Sequence, residues 1–270
     1  MITPQELQSS IDGYRYPVGE ETTWAPYAMN GAPCAPGGDT LSIPEGGKAS
    51  PERFQAIASF AVRHLVAIDR EPTALAVRQT LIDGSLPVED GIDYNYRGGV
   101  DCSGFAYFAL KGCGVDIDKA IVVPPQAVYH AANWAGWQTD DSRLAELIEQ
   151  AMDKALNVGD FARTFYDVPQ PHKSVNVARF DDSSSPISLD DVQSGDIAIY
   201  RKKPKAAPSH IALIKDIDRH GTLQLVHSGR TDWTQGIGGV ESFTIDGSKL
   251  TDYIDDERGS IELKRIDGIS

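Results

Sequence analysis

The stretch GGVDCSGFAYFALKGCGVDI, residues 98–117, decides how the rest of this chain is read. Two glycines, an aspartate and a cysteine stand directly before a run of helical spacing. Phe105, Phe108 and Ala109 share one face of that run, which ends in the glycines of residues 112–114. Cysteine is usually a small buried hydrophobe. At the first turn of a helix it has another use: the thiolate is the reactive form, and the helix dipole with its free N–H groups favours it. Glycines upstream let a second backbone come close. Such a thiol needs a base. Of the six histidines, His64, His130, His172, His210, His220 and His227, two fall inside strand patterns. His210 opens HIALI and His227 lies in LQLVHSG. Adjacent antiparallel strands would point both at one spot, with His210 taking the thiol proton and His227 fixing its tautomer.

Working outward, residues 1–50 are rich in Gly and Pro and show no sustained period, so they read as an irregular arm laid over the domain, with Trp24, Tyr27 and Met29 as anchors. Residues 51–270 read as one catalytic domain. Ser50 and Pro51 signal a helix start, followed by Phe54, Ile57, Ala58, Ala61, Val62, Leu65 and Ile68 at helical spacing. A second helix is expected over residues 73–82. Residues 125–165 are helical in pattern, clearest in SRLAELIEQAMDKAL. From Gly195 onward the texture turns strand-like: GDIAIY, SHIALIKDI, TLQLVHS, GVESFTI and SIELKRI. Helices followed by a meander of strands predict an α+β fold.

Composition bounds the partners. The chain has 270 residues, 41% hydrophobic and 24% charged, enough for a sizeable core. A formal net charge of −14 excludes a nucleic-acid partner, which needs a basic patch. No apolar run reaches the length of a membrane span. The start of the chain has no basic region followed by an apolar run, so no secretory signal is expected. The three cysteines, Cys34, Cys102 and Cys113, are too few and too odd for a disulfide framework, and synthesis in a reducing cytoplasm is expected. No CxxC or HExxH pattern supports zinc, and no cofactor motif is present: the glycines of QGIGGV read as a turn.

Four ordered segments resemble the NlpC/P60 family of papain-like cysteine peptidases. Asp101-Cys102-Ser103-Gly104-Phe105 is similar to that family's DCSGF nucleophile motif, and GDIAIY (195–200) to its GDLVFF-type strand. Ser209-His210-Ile211-Ala212 resembles its SHVGI strand, and Val226-His227-Ser228 the strand supplying its third catalytic residue. The resemblance spans roughly residues 90–245. It implies a papain-like fold, with the nucleophile helix packed on a small antiparallel sheet. It implies Cys102 as nucleophile, His210 as base and His227 as orienting residue. It implies cleavage of amide bonds in peptidoglycan peptides, commonly between D-glutamate and a diamino acid. Where the family has a tyrosine three residues before a Gly-Gly pair, this chain has Asn95 between Tyr94 and Tyr96, and these two are the candidates to line the site. The spacing from Cys102 to His210 exceeds the family's compact form, which makes residues 120–180 a helical insertion.

The remaining candidates each have a bland reading beside the functional one. Asp101 and Ser103 would border the substrate, and Asp101 would also cap the helix. Trp134 and Trp137 either floor a cleft or simply pack. Arg230, Asp232 and Trp233 follow His227 and would approach substrate. Cys113 reads as a packing thiol, His64 as structural, and His130, His172 and His220 as surface residues. Two alternatives to a wall peptidase are an acyltransferase or deamidase using the same thiol, and a wall-binding or assembly module whose site is silent. A wall hydrolase made without an export signal would reach its substrate by a non-classical route, or act on wall peptides in the cytoplasm.

Overall fold

Thr3 caps the first helix, α1 (Pro4–Asp12), through a reciprocal box: its hydroxyl accepts from the Glu6 N–H, while the Glu6 carboxylate accepts from the Thr3 N–H at 2.8 Å. The computed structural model describes residues 1–27, 48–89, 98–138, 140–166, 170–202, 207–229, 238–250 and 260–269. A short hairpin follows α1, with β1 (Arg15–Val18) antiparallel to β2 (Glu21–Trp24). The described part of the expected irregular arm is therefore regular and part of the core. Leu7, Ile11 and Tyr14 are fully buried, and Ser10 Oγ donates to the Ala109 carbonyl at 2.8 Å. The signal for α1 is the Thr-Pro-x-Glu start; the Gly- and Pro-rich residues that follow outweighed it. Trp24 is half-buried with Arg15 over its ring, whereas Met29 and Cys34 lie outside the described residues.

Helix α2 (Pro51–Ala67) starts at its expected serine cap; Thr73, expected as the first helical residue of α3 (Ala74–Asp83), caps it instead, and Gly84 ends α3 in the left-handed conformation. Next comes α4 (Cys102–Gly112), the centre of the molecule. Cys102 to Tyr107, Ala109 and Leu110 are all buried, so this helix is covered nearly all round rather than on one face. It packs against α1 on one side and against strands on another. Residues 117–182 carry α5 (Ile117–Ala120), α6 (Pro125–Trp134), α7 (Ser142–Met152), α8 (Val158–Phe165) and α9 (Val177–Asp182), with a 3-10 turn at Pro171–Ser174. Here α7 packs on α6, and α5 packs on α8.

The chain is α+β, with a six-stranded antiparallel sheet as its second half. The strands are β3 (Ser184–Pro186), β4 (Ile197–Lys202), β5 (Ala207–Ile217), β6 (Thr222–Gly229), β7 (Gly239–Asp246) and β8 (Ser260–Ile266), in the order β3-β8-β4-β5-β6-β7. Strands β4 to β7 form the expected meander, but SIELKRI does not extend it. As β8 it inserts between β3 and β4. The sheet is buried on both faces: Ile197, Ile199, Ile211, Leu213 and Val226 join the core shared with α4, while Ala198, Ala212, Ile214, Leu223 and Leu225 form a second cluster. Truncating Leu7 to Ala should destabilise the whole protein by about 2–5 kcal/mol, the usual cost of a cavity at a fully buried leucine. Chemical denaturation reads this; an unchanged midpoint would mean that α1 is an appendage.

Candidate functional site

Cys102 is the first residue of α4, and Asp101 is its cap. The Asp101 carboxylate accepts from the Gly104 N–H at 2.6 Å and from Ser103 Oγ at 3.0 Å. A cation completes the cluster: Lys48 Nζ lies 2.8 Å from Asp101 Oδ1 and 2.5 Å from Ser103 Oγ, with its side chain 5% exposed. Asp101 and Ser103, expected to border substrate, bond to Lys48 and to each other, with Ser103 buried and Asp101 half-buried. Lys48 was not singled out in the sequence, because a lysine after a Gly-rich run carries no mark of burial.

The helix mouth does not by itself ionise the thiol. Burial pushes Cys102 up to about 12 from its ordinary 9.0, and the Asp101 carboxylate adds to the rise. Lys48 and the N–H groups of Ile211 and Ser103 act in the other direction without overcoming it. The Ile211 N–H acts on the sulfur from the backbone of β5, one residue from His210.

His210 and His227 are brought into direct contact. Both are buried, and His210 Nε2 lies 2.7 Å from His227 Nδ1, the rings nearly perpendicular at 81°. Burial first, and then the neighbouring His227, hold His210 well below the ordinary histidine value. Alternation along β5 puts His210 on the same face as Ala212, with Tyr200 edge-on to it; Phe243 packs on His227. Ile211 and Leu213 face the core shared with α4. Cys102 belongs to that same core, so the thiol meets β5 on the Ile211 side, beside the backbone that carries His210. The position of α4 against β6 is set by Ser228, whose Oγ donates to the Val100 carbonyl at 2.6 Å.

The other expected site residues divide. Trp134 is 64% exposed at the end of α6, whose main packing partners are α7 and α8 rather than the histidine strands. Trp137 packs on Phe165 and under Arg143. Tyr94, Tyr96, Arg230, Asp232 and Trp233 lie outside the described residues. His172 stacks on Tyr107 and Phe108, His64 is half-buried, and His220 is exposed in a turn. Cys113 is half-buried, with its thiol raised to about 11 by burial and by Glu6. It lines a cavity of about 790 Å³ at the opposite end of α4, together with Ile2, Lys119 and Asp182. Among the described residues no group of His, Cys, Asp and Glu could hold a metal ion, and no helix is long and apolar enough to cross a membrane.

No family model matches this chain, and no curated protein does. Among solved structures it is similar to an N-acetylmuramoyl-L-alanine amidase from Bacteroides uniformis, at 12% identity, 73% of this chain, 76% of that chain and a TM-score of 0.22. It is also similar to a candidate xylanase from Bacteroides fragilis, at 15% identity, 78% of this chain, 83% of that chain and a TM-score of 0.23. At these TM-scores neither likeness bears on fold or chemistry.

Two outcomes follow from the charges around the thiol. At about pH 8 Cys102 should be alkylated by iodoacetamide roughly a thousandfold more slowly than a free thiol, the ratio set by a rise from 9.0 to about 12. Lys48→Met should slow it further by leaving the Asp101 charge uncompensated, and Lys48→Met with Asp101→Asn should recover the parental rate. Peptide mapping after timed alkylation measures both; a double variant no faster than Lys48→Met alone would show that Lys48 acts by packing and not by charge.

Proposed function

We propose that this protein is a cysteine hydrolase of papain-like fold, in the manner of the NlpC/P60 peptidases, that cleaves amide bonds in peptidoglycan stem peptides. The bond type proposed is D-glutamyl to diamino acid. The observation that carries the reading is the buried His210–His227 pair on β5 and β6, with His210 one residue from the Ile211 N–H that acts on the Cys102 sulfur.

In this reading thiol and imidazole are both neutral at rest. The Cys102 thiol ionises only in strong base, and His210 is protonated only in acid. No thiolate–imidazolium pair is stored; the proton moves as the bond forms. Cys102 Sγ attacks the amide carbonyl carbon, and its proton passes to His210 Nδ1. The tetrahedral intermediate collapses, the C–N bond breaks, and His210 returns the proton to the leaving amine. Water, deprotonated by His210, then attacks the thioester and releases the acid with the free thiol. His227, bonded to Nε2, keeps the other ring nitrogen of His210 aimed outward.

One observation favours a second reading, a silent wall-binding module. Cys102 is only 6% exposed and its thiol resists ionisation. Incubation with purified peptidoglycan and mass analysis of the released fragments separates the two. The parent should release stem-peptide fragments. Cys102→Ala should lose activity by roughly a thousandfold or more with its fold intact, His210→Ala nearly as much, and His227→Ala less. A fully active Cys102→Ala protein removes the cysteine mechanism; binding to peptidoglycan without cleavage by the parent selects the silent module.

The same burial predicts an acid limit. His210 takes up its proton in the unfolded chain near 6.5 but resists it in the fold. The stability it contributes is present above that value and is lost as pH falls through it. The parent should therefore lose more stability between about pH 7 and pH 5 than His210→Gln, as read by thermal unfolding. Parallel curves for the two proteins would contradict the burial of a neutral His210.

A further inference from the structure

Two ring nitrogens 2.7 Å apart, His210 Nε2 and His227 Nδ1, must share one proton when both rings are neutral. Which nitrogen owns it decides whether the site works. For His210 to accept a proton from a thiol, its Nδ1 must be bare, so its own proton sits on Nε2 and points to His227 Nδ1. His227 then carries its proton on Nε2. In the reverse arrangement His227 donates to His210, His210 holds its proton on Nδ1, and that nitrogen cannot accept another.

The side chain beyond His227 distinguishes these two arrangements. His227 Nε2 is buried and has no hydrogen-bond partner. Glu241 Oε1 lies 3.5 Å from it, on the β7 residue directly paired with His227. A carboxylate can only accept. Facing an N–H it is attracted, and facing the bare lone pair of Nε2 it is repelled. Arg78 of α3, itself buried, interacts with the Glu241 charge. The ring is also held in place: a Cβ on Gly229 would lie 2.7 Å from both His227 Cε1 and Nε2, so only glycine leaves room for the ring in this orientation.

We propose that Glu241 is a positioning residue for the proposed hydrolase site: its carboxylate holds the proton of His227 on Nε2 and thereby keeps His210 Nδ1 bare. The array reads Glu241, His227, His210, with the carboxylate at the outer end on the edge strand, and the proposed hydrolase site adds Cys102 as the thiol that His210 serves. This rests on the assignment of His210 as base, but the tautomer is measurable without turnover.

The test is imidazole 15N NMR on the parent, Glu241→Gln and Glu241→Leu, joined to steady-state kinetics on purified stem peptide. The parent should show His227 and His210 both protonated on Nε2. Glu241→Gln keeps an acceptor oxygen and should keep that tautomer and most of the activity. Glu241→Leu should redistribute His227 between tautomers and lower kcat roughly 10- to 100-fold with KM little changed. A parent spectrum with His227 protonated on Nδ1 overturns the proposal, as does a Glu241→Leu protein with parental tautomers and parental kcat. If no variant, including the parent, turns over substrate, the hydrolase reading fails, and the parent and variant spectra still decide the role of Glu241.

Discussion

The hydrogen bond from Ser228 Oγ to the Val100 carbonyl, at 2.6 Å, ties the strand that carries His227 to the segment that leads into Cys102. Ser228 and Val100 are both fully buried, so neither group has water as an alternative partner, and losing one would strand the other. Val100 stands two residues before Cys102, and Ser228 follows His227. The same backbone is held from other sides: the Val100 N–H donates to the Pro26 carbonyl at 3.0 Å, and isolated bridges tie Val100 to Tyr27 and Lys48. The segment leading into α4 thus behaves as a stub of strand beside β6. The separation of thiol and histidines follows from that pairing more than from any contact between them.

Around the thiol, opposing charges are balanced within a few ångströms. A carboxylate at the cap serves the helix, because it satisfies the Gly104 N–H and sits at the positive end of the dipole. The same negative charge hinders ionisation of the next residue. Lys48 answers it at 2.8 Å, and its own desolvation is offset only because the carboxylate and Ser103 Oγ are both in reach. Removal of the sulfur from water is the largest influence, acting with the carboxylate and against Lys48. A helix N-terminus is therefore not a sufficient sign of a thiolate; the depth of the residue decides.

The features legible in the sequence were those with local signatures. DCSGF announced the cap and start of α4, Ser50-Pro51 announced α2, and alternation announced β4 to β7. Features that depend on distant pairing were not legible. Lys48, Ser228 and Glu241 are ordinary polar residues until the fold sets them against Asp101, Val100 and His227. The alternation of GVESFTI marks Glu241 as polar and half-exposed, which is also how a solvated strand residue reads. Helix α1 did have a signature, the Thr3–Glu6 box, but it stands on only nine helical residues beside a Gly-Pro tract. The place of β8 in the sheet had no local signature, since SIELKRI reads the same whether it extends a meander or crosses back.

That crossing bears on the order of assembly. Strands β4 to β7 are joined in sequence, so each can pair with the strand just made, and the histidine contact closes over 17 residues. By contrast β3 has no neighbour until β8 arrives: Ser184 pairs with Ile266 across most of the second half of the chain. The ion cluster behind it also waits, because Asp181 of α9 is held by Arg201 at 2.7 Å and by Lys264 at 2.6 Å, the latter from β8 itself. Local hairpins form quickly and long-range pairings slowly. The strands that carry the histidines can thus pair early, whereas the pairing of β3 and the Lys264 bond to Asp181 both wait for β8.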